Sequence, residues 1–141
     1  MSELYAAVDC GTNSVRLLVA RFEDGRLVEV DRRLHITRLG QGVDATGRFH
    51  PEALRRTLDA MRDFASQLDA LAVRHRRVVA TSAARDAANS AEFFDGVRAA
   101  LGVPAEIISG QDEAELSRLG ALRGLSGPGQ PVLAQPGQFG F

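Results

Sequence analysis

Residues 9–14, Asp-Cys-Gly-Thr-Asn-Ser, form a short polar stretch between two apolar runs, and this stretch decides the fold. Residues 5–8 lead into it and residues 15–22 lead out of it with alternating and β-branched side chains, so both flanks are predicted to be strands of a hairpin. In such a turn Gly11 permits close backbone approach, consecutive N–H groups can hold an anion, and Asp9 can hold a hydrated Mg²⁺ beside a phosphate. The pattern indicates phosphate chemistry.

The composition is ordinary for a soluble globular domain and excludes several classes of protein. The chain has 141 residues, 45% of them hydrophobic, and a formal net charge of -1, so neither nucleic acid nor membrane is expected as a partner. All 17 basic residues are Arg, which excludes a Gly-x-x-x-x-Gly-Lys phosphate loop. A single Cys and the lack of an apolar stretch of membrane-spanning length predict a cytoplasmic location.

The apolar patterning predicts an α/β domain with the element order β-β-β-α-β-α-β-α. After the hairpin we expect a turn at Asp24-Gly25, a strand over 26–37 and a glycine-bearing loop over 38–47. A helix from Pro51 to about 71 and a strand over 78–80 should follow. The last predicted elements are a helix from Asn89 or Ser90 to 101, a strand over 105–108 and a helix from Ser109 to about 123. Three antiparallel strands followed by helix-linked parallel strands give a mixed five-stranded sheet. Residues 125–141 are predicted to be a linker and an unstructured tail.

Two further polar stretches are candidates for functional sites, and each also has a purely structural interpretation. Residues 81–89 lie at a strand-to-helix junction where Arg85 could offer a guanidinium fork to an oxyanion, although Asn89 or Ser90 could simply cap a helix. Residues 107–114 place Asp112 and Glu113 in the first turn of a helix, where one could act as a general base or both could act as caps.

The spacing from Cys10 to Arg16 also matches the Cys-x-x-x-x-x-Arg motif of cysteine-dependent phosphatases. That mechanism needs a thiolate at the base of a loop that runs into a helix, whereas here the residues after the loop are predicted to be a strand. We therefore expect Cys10 to be buried and inert.

Residues 9–16, 81–89 and 108–114 together resemble, in order and spacing, the exopolyphosphatase/guanosine pentaphosphate phosphatase (Ppx/GppA) family. Residues 37–42 resemble the loop that follows the third strand in that family, and the resemblance extends from about residue 6 to residue 124. It implies that residues 1–124 form an RNase H-like N-terminal lobe of the actin-like ATPase superfamily. Sugar kinases of that superfamily share only the first motif.

The resemblance also implies an activity and a role for particular residues. The implied activity is release of the terminal phosphate from polyphosphate, or conversion of pppGpp to ppGpp, with Mg²⁺ as cofactor and a homodimer in full-length relatives. The implied phosphate-gripping loop consists of Gly11, Thr12, Asn13 and Ser14. The implied basic group that holds the phosphate chain is Arg85, and the implied catalytic base that activates water is Glu113. The implied carboxylate near the metal is Asp9.

The chain departs from the family pattern in two places. Asp112 stands where the family usually has a second Glu. The family's second lobe opens with an Asp-Ile-Gly-Gly-Gly-Ser-like loop, and residues 134–141 do not match it, so we expect a truncated or frame-shifted chain that binds phosphate weakly without appreciable turnover. The alternatives are the lobe of an ATP-dependent actin-like sugar kinase, and a non-catalytic remnant that binds phosphate or docks onto a full-length relative.

Overall fold

The computed structural model of the protein describes residues 3–108. The predicted helix from Ser109, the domain boundary at 124 and the predicted tail lie outside the described residues. No helix in the described part has the length and hydropathy that a membrane crossing requires. The elements along the chain are β1 (Leu4–Cys10), β2 (Ser14–Glu23), β3 (Arg26–Ile36), α1 (Val43–Thr46), α2 (Pro51–Ala70), β4 (His75–Thr81), α3 (Ser82–Asp86), α4 (Ser90–Leu101) and β5 (Ala105–Ile108).

The five strands form one mixed sheet in the order β3-β2-β1-β4-β5, which confirms the predicted architecture. The first three strands pair antiparallel, and β4 lies parallel to both β1 and β5. The turn between β2 and β3 has positive φ angles at Asp24 (50°) and Gly25 (78°), the combination that a tight hairpin requires. A register shift between Val19 and Ala20 interrupts the β2–β3 pairing.

Three details differ from the sequence-based prediction. β4 begins at His75 rather than at residue 78, because its first three residues are polar and give no apolar signal. The predicted loop over 38–47 contains α1, and the predicted junction over 81–89 contains α3. Helices of four and five residues are too short to display a periodic apolar face, so the pattern could not reveal them.

The two faces of the sheet carry different sets of buried side chains. Alternation along β1 and β2 directs Val8, Cys10, Val15 and Leu17 toward one face, where they join the buried side chains of α2 and α4. The opposite face carries a smaller buried cluster, consisting of Tyr5, Ala7, Leu18, Ala20, Leu27 and Val79. Since neighbouring residues of a strand point to opposite faces, Asp9 and Arg16 belong to this second face.

The helix ends follow their predicted signals. Pro51 occupies the first turn of α2, and the His50 ring accepts a hydrogen bond from the Glu52 N–H (3.1 Å). α4 ends at Gly102, which adopts φ 78° and donates its N–H to the Arg98 carbonyl (2.9 Å).

Asn89 connects two distant segments instead of capping α4 with its side chain. Its Oδ1 accepts a hydrogen bond from the Phe49 N–H (2.8 Å), and its Nδ2 donates to the Phe49 carbonyl (3.1 Å). In the same region the Ala88 N–H donates to the Gly47 carbonyl (2.8 Å). The segment that enters α2 is therefore fixed to the start of α4.

We expect Asn89→Ala to lower the free energy of unfolding by about 1–3 kcal/mol, because it leaves two half-buried backbone groups of Phe49 without their partner. Urea unfolding measures the effect. Ser90→Ala is the matched control, since the Ser90 side chain makes no hydrogen bond to the described residues, and it should change stability by less than about 0.5 kcal/mol. Equal losses in the two variants would contradict this role for Asn89.

Candidate functional site

A cavity of about 500 Å³ lies where the parallel strands β1 and β4 end, at Cys10 and Thr81. Ligands of open α/β sheets commonly bind outside the carboxyl ends of the strands, and this cavity occupies that place. It is lined by residues 10–13 of the first turn, by residues 38–41 with Val43 and Asp44, by Phe49, and by Thr81, Ala83 and Ala84.

The turn between β1 and β2, called the first turn here, is held in place by hydrogen bonds from the loop that follows β3. The Gly11 N–H donates to the Ser14 carbonyl (3.0 Å) and closes the turn. The Thr37 and Arg38 N–H groups both donate to the Asn13 carbonyl (3.0 Å each). The Gly40 N–H donates to the Thr12 carbonyl (2.9 Å). These bonds fix the carbonyls of Thr12 and Asn13. The N–H groups of the same two residues donate no hydrogen bond to any described residue, so they are available to an anion.

The structure brings together part of the predicted phosphate loop. Gly11, Thr12 and Asn13 line the cavity, whereas Ser14 begins β2 and is not among the lining residues. Because the Gly11 N–H is used within the turn, the two amides available to a ligand are those of Thr12 and Asn13.

Of the remaining predicted site residues, the two that the structure describes, Asp9 and Arg85, are not among the residues that line this cavity. Arg85 is on α3 with its side chain 64% exposed, and its nearest acidic partner is Asp86 (3.6 Å). Asp9 is half-buried and lies directly across from Arg16 in the β1–β2 register. Glu113 falls outside the described residues, so its predicted role as catalytic base stays a prediction.

The described residues provide donors for a cation that a substrate brings, but no closed metal cage. Within residues 3–108 no three His, Cys, Asp or Glu side chains come close enough to hold a metal ion. The exposed Asp44 lines the cavity, whereas the half-buried Asp9 belongs to the face of the sheet opposite to Cys10. Mg²⁺ is often held by one or two carboxylates together with substrate phosphates, and Asp44 is the described carboxylate at the cavity that fits this role.

The geometry argues against a cysteine-dependent phosphatase. Cys10 is only 2% exposed, and the chain continues after the turn as β2 rather than as a helix that would lower the thiol pKa. Cys10 pairs with Val15, and the next pair outward is Asp9 with Arg16, so Cys10 and Arg16 point to opposite faces of the sheet. They cannot form one phosphate cradle.

Cys10→Ser should therefore leave the affinity for tripolyphosphate within about twofold of that of the unsubstituted chain, because the thiol is not a nucleophile or a ligand in this account. Isothermal titration calorimetry measures the affinity, and thermal unfolding of the same samples checks that the variant is folded. Loss of binding in a folded Cys10→Ser protein would favour the cysteine mechanism.

Sequence reasoning did not identify three residues that shape the cavity: Arg38, Gln41 and Phe49. Arg38 adopts a left-handed backbone conformation (φ 51°), which no sequence pattern marks at an arginine. Gln41 accepts a hydrogen bond from Arg56 Nη2 (2.7 Å), and Arg56 Nε also donates to the Thr37 carbonyl (3.0 Å). The available signals for this loop were the glycines at residues 40 and 42 and the resemblance of residues 37–42 to a loop of the Ppx/GppA family, and neither assigned a role to these side chains.

Comparisons with known proteins agree with this geometry. The model of the Ppx/GppA phosphatase family matches residues 18–134. Exopolyphosphatase 2 of Mycobacterium tuberculosis, from strains CDC 1551 / Oshkosh and ATCC 25618 / H37Rv, is 51% identical, and the match covers 91% of this chain and 43% of that protein. The chain therefore spans less than half the length of these relatives.

Solved structures show the same likeness. The Aquifex aeolicus member of the Ppx/GppA family superimposes with a TM-score of 0.77 at 32% identity, over 85% of this chain and 39% of that one. An exopolyphosphatase-like protein gives a TM-score of 0.75 at 47% identity, over 82% of this chain and 35% of that one. An exopolyphosphatase from Cytophaga hutchinsonii gives a TM-score of 0.74 at 31% identity, over 81% of this chain and 36% of that one.

Proposed function

The chain belongs to the Ppx/GppA phosphatase family, and from this we propose that it forms the phosphate-gripping part of an exopolyphosphatase, which releases the terminal phosphate of polyphosphate. The observation that carries the proposal is the pair of free amides at Thr12 and Asn13, which border the cavity where β1 and β4 end. Two N–H groups on one turn match the oxygens of a terminal phosphoryl group.

The proposed reaction needs charge neutralisation and an activated water. The amides of Thr12 and Asn13 hold the phosphoryl group and offset part of its charge. Glu113, assigned by resemblance, takes a proton from a water molecule whose oxygen attacks the terminal phosphorus while the bond to the bridging oxygen breaks. Mg²⁺, which the resemblance assigns near Asp9, would supply further positive charge to the phosphate oxygens.

The family name also covers guanosine pentaphosphate phosphatases, so we propose pppGpp as a second substrate class. Its 5′-terminal phosphoryl group would be held by the same two amides and lose the same phosphate to give ppGpp. We also propose a cytoplasmic location, which the single, buried cysteine supports.

Binding and turnover are expected to separate in this chain. We propose that the 141-residue polypeptide, assayed by itself, binds polyphosphate weakly and releases phosphate very slowly. Rapid phosphate release from polyphosphate that is abolished by Glu113→Gln would show that this polypeptide is itself a competent enzyme.

Calorimetric titration with tripolyphosphate, pppGpp and ATP in the presence of Mg²⁺ tests the proposal. We expect binding of the first two to exceed binding of ATP, because tripolyphosphate has no nucleoside to place and pppGpp carries two additional phosphoryl groups at its 3′ position, so both present more negative charge to the site than ATP does. A kinase lobe predicts the reverse order. Preferential binding of ATP would overturn the proposed function in favour of that alternative.

A further inference from the structure

A second cavity, of about 470 Å³, adjoins the first one. It is lined by Ile36, Arg38, Gln41 and Arg56. Arg38 and Gln41 line both cavities, so they form the boundary between the two. A linear ligand whose end lies at the first turn could therefore continue past Arg38 and Gln41 into the second cavity.

Arg38 is well suited to contact an anion at this boundary. Its side chain is exposed and makes no ion pair or hydrogen bond within the described part of the chain. Arginine presents a planar fork of donors that matches phosphate oxygens, and the charge is retained at all physiological pH values. The left-handed backbone at Arg38 (φ 51°) is disfavoured for an arginine, and the bond from its N–H to the Asn13 carbonyl (3.0 Å) holds it in place.

Arg56 adds a second positive charge that no carboxylate of residues 3–108 offsets at ion-pair distance. Its two recorded hydrogen bonds go to uncharged acceptors, the Thr37 carbonyl (3.0 Å) and Gln41 Oε1 (2.7 Å). The adjacent Arg55 is different, because it pairs with Glu52 (2.8 Å) and Asp59 (3.1 Å). The Arg56 charge at the second cavity is therefore not held in an ion pair with a described residue, whereas the charge of Arg55, next to it along α2, is.

We propose that the second cavity is a subsite for the non-terminal phosphoryl groups of a linear polyphosphate, with Arg38 and Arg56 as the groups that bind them. This inference rests on the proposed function, in which the terminal phosphoryl group occupies the first turn. Each additional phosphoryl group carries negative charge, and two guanidinium groups that form no ion pair with described residues attract it from beside the path of the chain. The subsite thus favours longer chains over short ones.

The test compares affinities for pyrophosphate and for long-chain polyphosphate in Mg²⁺ buffer. In the unsubstituted chain the long polymer should bind more tightly than pyrophosphate. Arg38→Gln should lower the affinity for the long polymer about tenfold, the effect of losing a charge-assisted hydrogen bond, and lower that for pyrophosphate much less. Arg38→Lys keeps the positive charge but loses the planar pair of donors, so its affinity for the long polymer should lie between that of the unsubstituted chain and that of Arg38→Gln.

Arg55→Gln is the matched control, since it removes the same charge one residue from Arg56 but from a paired, exposed side chain. It should leave the ratio of the two affinities within about twofold. If Arg38→Gln binds long polyphosphate as tightly as the unsubstituted chain, or weakens both ligands equally, the subsite is refuted while the proposed function stands. If the unsubstituted chain binds neither ligand, the proposed function fails first.

Discussion

Replacing Gly40 with valine is expected to lower the affinity for tripolyphosphate by about tenfold or more, because a side chain at this position would displace the turn that grips the phosphate. A Cβ at residue 40 would lie 3.2 Å from the Thr12 Cβ and 3.5 Å from the Thr12 carbonyl oxygen. The Gly40 N–H donates to that same oxygen (2.9 Å), so the loop cannot retreat without losing the bond. Overpacking of this kind costs roughly 1–3 kcal/mol of folding stability. A displaced turn must regain its gripping geometry when it binds, and a cost of about 1.4 kcal/mol for that step corresponds to tenfold in affinity.

A graded series sharpens this prediction. Gly40→Ala introduces only the Cβ and should weaken binding less than Gly40→Val does. Ala45→Val is the control, because Ala45 lies on α1 in the same loop, is exposed and does not line the cavity. Unchanged binding by a folded Gly40→Val protein would mean that the position of the first turn is unimportant for the ligand.

The largest loss of stability is expected for Phe93→Ala, at about 3–5 kcal/mol. Phe93 is fully buried, at 0% exposure, and its ring lies 5.9 Å from that of Phe49 and 5.1 Å from that of Phe94. Its removal leaves a cavity between α4 and the segment that enters α2. Because Phe49 lines the first cavity, the variant should also bind tripolyphosphate less tightly.

Phe94→Ala provides the comparison for this second prediction. Phe94 neighbours Phe93 on the same helix but is only half-buried, so its replacement should cost clearly less. Urea unfolding of both variants measures the difference in the free energy of unfolding. A loss for Phe94→Ala that equals or exceeds the loss for Phe93→Ala would contradict the assigned packing of α4.

Much of the fold was predictable from the sequence because its elements carry strong local signals. The β1–β2 hairpin follows from alternating apolar residues around the stretch 9–14, and the β2–β3 turn follows from Asp24-Gly25. α2 spans 20 residues with Pro51 at its start, which is long enough for a periodic apolar face to be unambiguous. The parallel pairing of β4 and β5 followed from the intervening helices.

The parts of the candidate site that sequence missed depend on contacts between distant segments. Asn89 reads as a helix cap, yet its side chain bonds to Phe49, 40 positions away. Arg56 lies on α2 and carries no sequence signal of a long-range role, yet it donates hydrogen bonds to the Thr37 carbonyl and to Gln41. The local sequence does not indicate which distant residues these side chains contact, so their roles could be identified only from the tertiary structure.

One alternative that the sequence already disfavoured is also disfavoured by strand geometry. The spacing of Cys10 and Arg16 matches a cysteine-dependent phosphatase, but the two side chains fall on opposite faces of one sheet. Side chains along a strand alternate between the two faces of the sheet, so Arg16 points away from the face that Cys10 and its partner Val15 share. A motif defined by spacing alone therefore indicated a site that the backbone does not permit.

The central claim is that the backbone amides of Thr12 and Asn13 hold a terminal phosphoryl group. Two-dimensional ¹⁵N–¹H correlation spectra of the labelled chain, recorded during titration with tripolyphosphate, test it most directly. The amide signals of Thr12 and Asn13 should move most, and that of Gly11 less, because the Gly11 N–H already donates to the Ser14 carbonyl (3.0 Å). Shifts confined to the exposed α3 around Arg85, with the signals of the first turn unchanged, would contradict the account.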